Sequence, residues 1–204
     1  MSEIAVKFEK PYKFEGKEYT EIDLSGIEKM TVSDLIDIQK ELMSEAASSF
    51  VMETTASFAQ VMATKASGKP VELFKLMPRG KIKQVQTAIL KYLNADQKKE
   101  DIEKHLLKFE KPYTYNGDGK ADIKGQTFEA VDLSGVGELN AMSESAAENR
   151  LTGAGFPAVN TERNYLYAAI IASMGTGYPV DFFTGLPVRE ATKLRNAVDA
   201  DFFE

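Results

Sequence analysis

One stretch of the chain has the residue types and the spacing of a calcium-binding loop. Asn116-Gly-Asp-Gly-Lys-Ala-Asp122 places amide or carboxylate oxygens at every second residue, with glycines in the turn. Calcium loops use such alternate oxygen ligands and end on a bidentate acid. In that register the outer ligand positions fall on Thr114 and Gly125, so the bidentate acid is missing. We therefore interpret Asn116, Asp118 and Asp122 as part of a lengthened hairpin tip, and we expect no metal and no cofactor.

The other residues that commonly carry catalysis are missing or isolated. The chain has no cysteine, which removes disulfides, thiolate nucleophiles and thiolate metal sites. Its single histidine, His105, lies in a polar stretch and has no counterpart earlier in the chain, so we interpret it as a solvated linker residue. Serine and threonine hydroxyls need an adjacent base before they can attack a substrate. The sequence therefore predicts that this protein is not an enzyme.

The elements that must position any functional residue occur twice in the sequence. Lys7 to Tyr12 reads Lys-Phe-Glu-Lys-Pro-Tyr, and Lys108 to Tyr113 repeats it unchanged. Asp23-Leu-Ser-Gly26 recurs as Asp132-Leu-Ser-Gly135. The distance along the chain between the matching sequences is much longer than the period of a solenoid repeat. A distance of this size is typical of a duplicated domain. The predicted units are repeat 1 over 1–95, a polar linker over 96–105, and repeat 2 over 106–204 with an insertion at 115–124.

Within each copy the patterns predict a hairpin followed by helices. Alternating runs flank Glu15-Gly16, and Pro11 should interrupt the first strand or place it on an edge. Thr31-Val-Ser-Asp34 is a helix N-cap pattern, and a second helix is predicted from about Glu53 to Lys65. The last helix of copy two is expected to present Ala191, Leu194, Val198 and Phe202 on one face. The predicted fold class is α+β and mainly helical: two tandem homologous domains, each an N-terminal β-hairpin followed by three or four helices.

Charge and hydropathy exclude several classes of partner. The net charge is -6, and the acidic excess lies mainly after residue 105. An acidic surface repels phosphate backbones, so we expect no nucleic acid. No apolar run is long enough to span a bilayer, and the N-terminus lacks the basic start and apolar core of a signal peptide. We therefore expect no membrane partner and a location in the cytoplasm, without secretion.

Turn and apolar motifs at both ends of each copy carry a family resemblance. Copy one opens with Phe8-Glu-Lys-Pro-Tyr12, and its closing part contains Pro70-Val-Glu-Leu-Phe74 and Met77-Pro78. Copy two closes with Pro179-Val-Asp-Phe-Phe183 and Leu186-Pro187. In these motifs each copy resembles a tail assembly chaperone of a long-tailed bacteriophage or prophage. Members usually carry one such unit, and the insertion at 115–124 has no role in the family that we can assign.

The resemblance implies a non-enzymatic helper in the bacterial host cytoplasm. Such a protein coats the tape measure protein and helps to recruit tail tube subunits, and self-association is a further expectation. The alternative is a structural component of a phage tail or neck. Apolar faces of the second and last helices are the predicted contact surfaces, since helix-in-groove binding uses such stripes. The predicted partner-binding residues are Phe58, Phe74, Tyr92, Tyr165, Tyr167, Phe182, Phe183, Phe202 and Phe203. Surplus exposure is expected for Phe74, Tyr92, Tyr165, Phe182, Phe202 and Phe203.

Overall fold

Two antiparallel hairpins and eight α-helices make up the described part of the chain. A computed structural model describes residues 4–44, 52–94 and 105–199. We call the described residues up to Asn94 the first half and those from His105 onward the second half. The strands are β1 (Ala5–Phe14), β2 (Lys17–Asp23), β3 (Leu106–Thr114) and β4 (Thr127–Asp132). The helices are α1 (Val32–Ser44), α2 (Ala56–Ser67), α3 (Val71–Lys75), α4 (Arg79–Leu93), α5 (Ala141–Gly153), α6 (Tyr165–Thr176), α7 (Val180–Thr184) and α8 (Ala191–Ala197). The predicted α+β, mainly helical class is confirmed.

Each hairpin is a two-stranded sheet whose first strand is interrupted. β1 pairs with β2, and β3 pairs with β4. The register slips between Lys7 and Tyr12, and at the same place between Lys108 and Tyr113. The proline of the repeated hexapeptide stands inside each slip and has no N–H to donate to a ladder. The turn predicted at Glu15-Gly16 is present, and both residues have positive φ, as a two-residue hairpin loop of this kind requires.

The repeated Asp-Leu-Ser-Gly sequence begins a tight turn after each hairpin. The Asp23 carboxylate accepts a hydrogen bond from the Ser25 N–H at 2.8 Å, and Asp132 accepts one from Ser134 at 2.8 Å. These hydrogen bonds hold the pKa of both carboxyls below the ordinary value. The turn therefore has the same side-chain lock in both halves.

The glycine of this sequence allows the turn to lie directly on the next long helix. A Cβ at Gly26 would overlap the carbonyl oxygen of Ala66 in α2. In the second half a Cβ at Gly135 would overlap the carbonyl oxygen of Gly175 in α6. Real Cβ atoms do not approach backbone so closely, so a larger residue would push the turn off the helix.

Side-chain caps set where the helices begin. Thr31 and Asp34 exchange hydrogen bonds at the start of α1, as the sequence predicts. Thr55 caps α2 by accepting from the Phe58 N–H at 3.1 Å. Residues 52–54 form a separate 3-10 turn, so α2 begins at Ala56 instead of near Glu53.

The last helix of the second half is shorter than predicted. α8 ends at Ala197, and Val198 has left helical geometry. Val198 therefore does not extend an apolar helix face, as the sequence pattern suggested. Phe202 and Phe203 lie outside the described residues, as does the predicted linker apart from His105.

His105 is not a solvated linker residue. Its side chain is half-buried, and its carbonyl oxygen accepts a hydrogen bond from the Leu133 N–H at 2.8 Å. Ile4 makes the equivalent bond with Leu24 at 2.7 Å, so His105 does have a structural counterpart in the first half. The backbone position is needed to close the hairpin onto the turn, whatever side chain it carries.

One continuous apolar core joins the two halves. α1 packs against α2 of its own half and also against α6 and α7 of the second half. We call this contact between the two halves the seam. Backbone hydrogen bonds also cross it: the Val32 N–H donates to the Leu186 carbonyl at 2.8 Å, and the Val188 N–H donates to the Met30 carbonyl at 2.9 Å. None of the helices in the described ranges is long and apolar enough to cross a membrane.

Candidate functional site

The insertion of the second half is anchored by an aspartate of α7. The Asp181 carboxylate accepts hydrogen bonds from the Tyr115 hydroxyl at 2.9 Å and the Gly119 N–H at 3.0 Å. Asp118 is paired with Lys124, and this contact holds its pKa below the ordinary value. No group of three or more potential acidic or histidine ligands occurs among residues 4–44, 52–94 and 105–199. The loop is thus a hairpin extension fastened to α7.

The expected exposure of three aromatic side chains is wrong. Phe74, Tyr165 and Phe182 are fully buried. Phe182 lies within 6 Å, centroid to centroid, of the rings of Tyr113 and Tyr178. A small domain was expected to leave some of these rings exposed, but Tyr115 of the insertion packs against Phe182, and Tyr165 lies at the contact between the two halves.

Two further residues of the predicted partner-binding set lie in the same core. Phe58 and Phe183 are fully buried. Among the predicted residues in the described ranges, only Tyr92 and Tyr167 are partly exposed, and each lines a surface cleft. The predicted apolar faces of α2 and α8 are therefore internal, and these two clefts are where predicted partner-binding residues reach the surface.

A buried polar contact crosses the seam. Glu53 of the first half receives hydrogen bonds from the Tyr165 hydroxyl and the Arg195 guanidinium of the second half. Gln86 donates to the backbone oxygen of Thr55 at 3.1 Å in the same region. Burial alone would raise the pKa of Glu53, but Arg195 and Tyr165 together hold that pKa below its ordinary value. Burial raises the pKa of Tyr165, so the hydroxyl stays protonated and donates.

An open cleft of about 350 Å³ lies on the second half. It lies between the turn after β4, the helices α5 and α6, and the end of α8. Its apolar lining comes from Val136, Leu139, Ala168, Ile171 and Val198. Its acidic lining residues are Glu144, Glu148, Glu162 and Asp199, and all four are exposed. We call this site the acidic cleft.

The charges of the acidic cleft act on the aromatic residue beside them. Tyr167 is half-buried in the cleft. Burial, together with the negative charges of Glu144 and Glu148, raises the pKa of Tyr167 above its ordinary value. The cleft thus combines an apolar floor with an anionic rim, which suits a segment that is apolar at its centre and basic at its edge.

The equivalent surface of the first half is already covered by protein. Positions 109 residues earlier include Ile27, Met30 and Leu35, which are buried. Residues 188–190 of the second half form a 3-10 turn that packs against the first turn, α1 and α4 at this place. This surface of the first half is therefore covered by residues of the second half, whereas the equivalent surface of the second half is open and forms the acidic cleft.

A second cleft lies on the seam and has a volume of about 320 Å³. Tyr92 lines it, with Arg189 stacked over the ring at 5.3 Å from the centroid. Glu28 and Glu110 lie on the same cleft, and Glu110 forms an ion pair with Arg189. We call this site the seam cleft. It offers an aromatic face with both signs of charge.

Replacements between the two copies are the sequence signal for the acidic cleft. Glu144 stands where the first copy has Leu35, and Glu148 stands where it has Gln39. A charge on a helix face that is apolar in the other copy indicates that this face has a different neighbour. No family model, curated protein or solved structure matches this chain.

Proposed function

We propose that this protein is a phage tail assembly chaperone that binds the tape measure protein and helps to recruit tail tube subunits without catalysing a reaction. Its two copies of the same motif order resemble that family over nearly the whole chain. The role needs surfaces that engage other proteins, in place of a catalytic centre.

The acidic cleft is the observation that carries this proposal. Its counterpart in the first half is filled by folded protein, and this supports a protein segment as the ligand of the acidic cleft. Its apolar floor and four exposed acids fit a protein segment better than a small phosphorylated ligand, because phosphate would be repelled. A chaperone that acts in many copies along one long partner requires such open docking sites.

The seam cleft is the proposed contact for the tape measure protein. Tyr92 is the predicted partner-binding residue there, and its ring can pack on an apolar helix face. Exposed Glu28 can pair with a basic residue that flanks such a face. Long helical proteins present stripes of this kind along their length.

Co-expression with a phage tape measure protein tests the function. We expect the chain to keep that protein soluble and to co-purify with it, and Tyr92→Ala to reduce recovery of the complex about tenfold. Glu129→Ala, an exposed change on β4, is the matched control and should leave recovery unchanged. Failure of the unmodified chain to co-purify would contradict the chaperone function. Recovery of the polypeptide in purified virions would favour the alternative, a structural tail or neck component.

A further inference from the structure

We propose that the acidic cleft binds the first half of a second copy of this chain, through the backbone segment from Met77 to Arg79, the first residue of α4. The chains would then associate head to tail. This inference rests on the proposed function, because it names the occupant of the same docking site.

The molecule shows the geometry of this contact inside itself. At the seam, Leu186-Pro187-Val188 lies antiparallel to Met30-Thr31-Val32, with one bridge between Thr31 and Pro187. Two backbone hydrogen bonds of 2.8 and 2.9 Å flank the bridge. The proline ends the extended piece and begins the helical turn that packs into the first half.

The counterparts of both partners are present and unused. Met77-Pro78-Arg79 corresponds to the inserted segment, and Leu139-Asn140-Ala141 corresponds to the receiving one. Within the described residues, the Met77 and Leu139 carbonyls have no hydrogen-bond donor, and the Arg79 and Ala141 N–H groups have no acceptor. Arg79 and Ala141 are exposed. A second copy would complete the same pair of hydrogen bonds between molecules.

The charges of the two open surfaces are complementary. Inside the molecule, the packed elements carry Val188 and Leu35, which are both fully buried. Their counterparts on the open surfaces are Arg79 and Glu144. Arg79 thus takes the place of apolar Val188 on the inserted segment, and Glu144 takes the place of apolar Leu35 on the receiving surface. The interface between two molecules would therefore be held partly by charge.

The surroundings of these two residues reinforce the match. Exposed Lys75 and Lys83 lie near Arg79, whereas Glu148 and Asp199 accompany Glu144 in the acidic cleft. Leu76, next to the segment, is 70% exposed and supplies an apolar group for the cleft floor. The acidic cleft would repel the acidic second half of another copy and would favour its first half. Association should therefore be head to tail, as a ring or an open chain.

The purified full-length chain, without any tape measure protein, provides the test. Sedimentation velocity should show masses that rise with concentration in steps of 22.6 kDa and that fall as sodium chloride is added. Arg79→Glu alone and Glu144→Lys alone should each weaken association at least about tenfold. Lys17→Glu, in the first hairpin, is the matched control and should associate as the unmodified chain does. Circular dichroism checks that each variant is folded.

A mixture of the two charge-reversed variants gives the decisive result. Arg79→Glu supplies an acidic segment and an acidic cleft, and Glu144→Lys supplies a basic segment and a basic position in the cleft. The mixture should associate although neither variant does alone, because each segment then meets a cleft of opposite charge. A monomer of 22.6 kDa at every concentration, or variants that associate like the unmodified chain, would overturn the proposal.

The outcome is separable from that of the chaperone function. Tape measure binding is measured by co-purification, and self-association is measured without that protein. A chain that stays monomeric and loses tape measure binding in Glu144→Lys would place the tape measure protein itself in the cleft, which contradicts the second-copy inference and leaves the chaperone function in place.

Discussion

Glu53 is a residue whose environment depends on both halves of the chain. Its carboxylate is almost completely buried and is shared by Tyr165 and Arg195 across the seam. Removing one member of a buried ion pair leaves the other charge buried without a partner, which strongly lowers the free energy of unfolding. Replacing both members by apolar residues costs much less. This contact therefore fixes how the two halves meet.

Glu53→Gln should lower the free energy of unfolding by about 3–5 kcal/mol, because the Arg195 charge stays buried. Urea denaturation followed by circular dichroism measures the change. Arg195→Met should cost a similar amount, and the double variant should recover part of the loss. Additive losses in the double variant would show that the two side chains do not act as a pair.

The pH dependence of stability follows from the lowered pKa of Glu53. A carboxyl whose pKa is lower in the folded state stabilises folding above its ordinary value of 4.5 and loses this contribution as the pH falls through the folded-state pKa. Stability of the unmodified chain should therefore fall below about pH 4.5, and Glu53→Gln should show a shallower fall. Equal slopes for the two proteins would contradict the assignment.

The turn after each hairpin is the element in which local sequence and packing agree most closely. The aspartate locks the turn, and the glycine lets it lie on the following long helix. The hydrogen bond of the aspartate is local, and the glycine makes a single close contact with the helix. The same four residues can therefore make both interactions in each copy. The hairpins and the N-cap at Thr31 were predictable for the same reason.

Gly26→Ala should destabilise the protein by about 1–3 kcal/mol, because the added Cβ overlaps the Ala66 carbonyl. Gly80→Ala is the matched control: it lies in α4 with no atom within 4 Å of an added Cβ. That change should stabilise the helix by about 0.5–1 kcal/mol. Thermal unfolding distinguishes the two, and similar effects at both positions would contradict the close packing of the turn.

The insertion is an element whose role the sequence left open. Asp181 fastens it to α7 through the Tyr115 hydroxyl and the Gly119 N–H. Asp181→Ala should therefore increase hydrogen exchange at residues 116–125 by about tenfold or more, while the rest of the second half stays protected. A calcium titration of the unmodified chain should give no heat at millimolar calcium. Binding with a well-defined stoichiometry would show that the loop does hold a cation.

At the scale of the whole molecule, the two copies share one core. The sequence predicted separate repeats, and two positions of the apolar face predicted for the last helix, Ala191 and Leu194, are buried. The apolar periodicities could not show that α1 also packs against α6 and α7, because that contact joins residues far apart in sequence. The burial of Tyr165 and Phe182 and the formation of the acidic cleft follow from this same contact.

A shared core predicts that both halves unfold together. Hydrogen exchange monitored by mass spectrometry across a denaturant series should give one midpoint for α2 in the first half and α6 in the second. The reason is that α1 and Glu53 make contacts with both halves, so neither half can unfold without breaking contacts of the other. Two midpoints separated by more than experimental error would show that the halves are independent domains.

We propose that many copies of this chain bind one tape measure protein. Native mass spectrometry of the complex purified after co-expression counts the chains directly. We expect one tape measure protein with several chains, and fewer chains when Arg79→Glu replaces the unmodified protein. A tape measure protein free of this chain would contradict the claim.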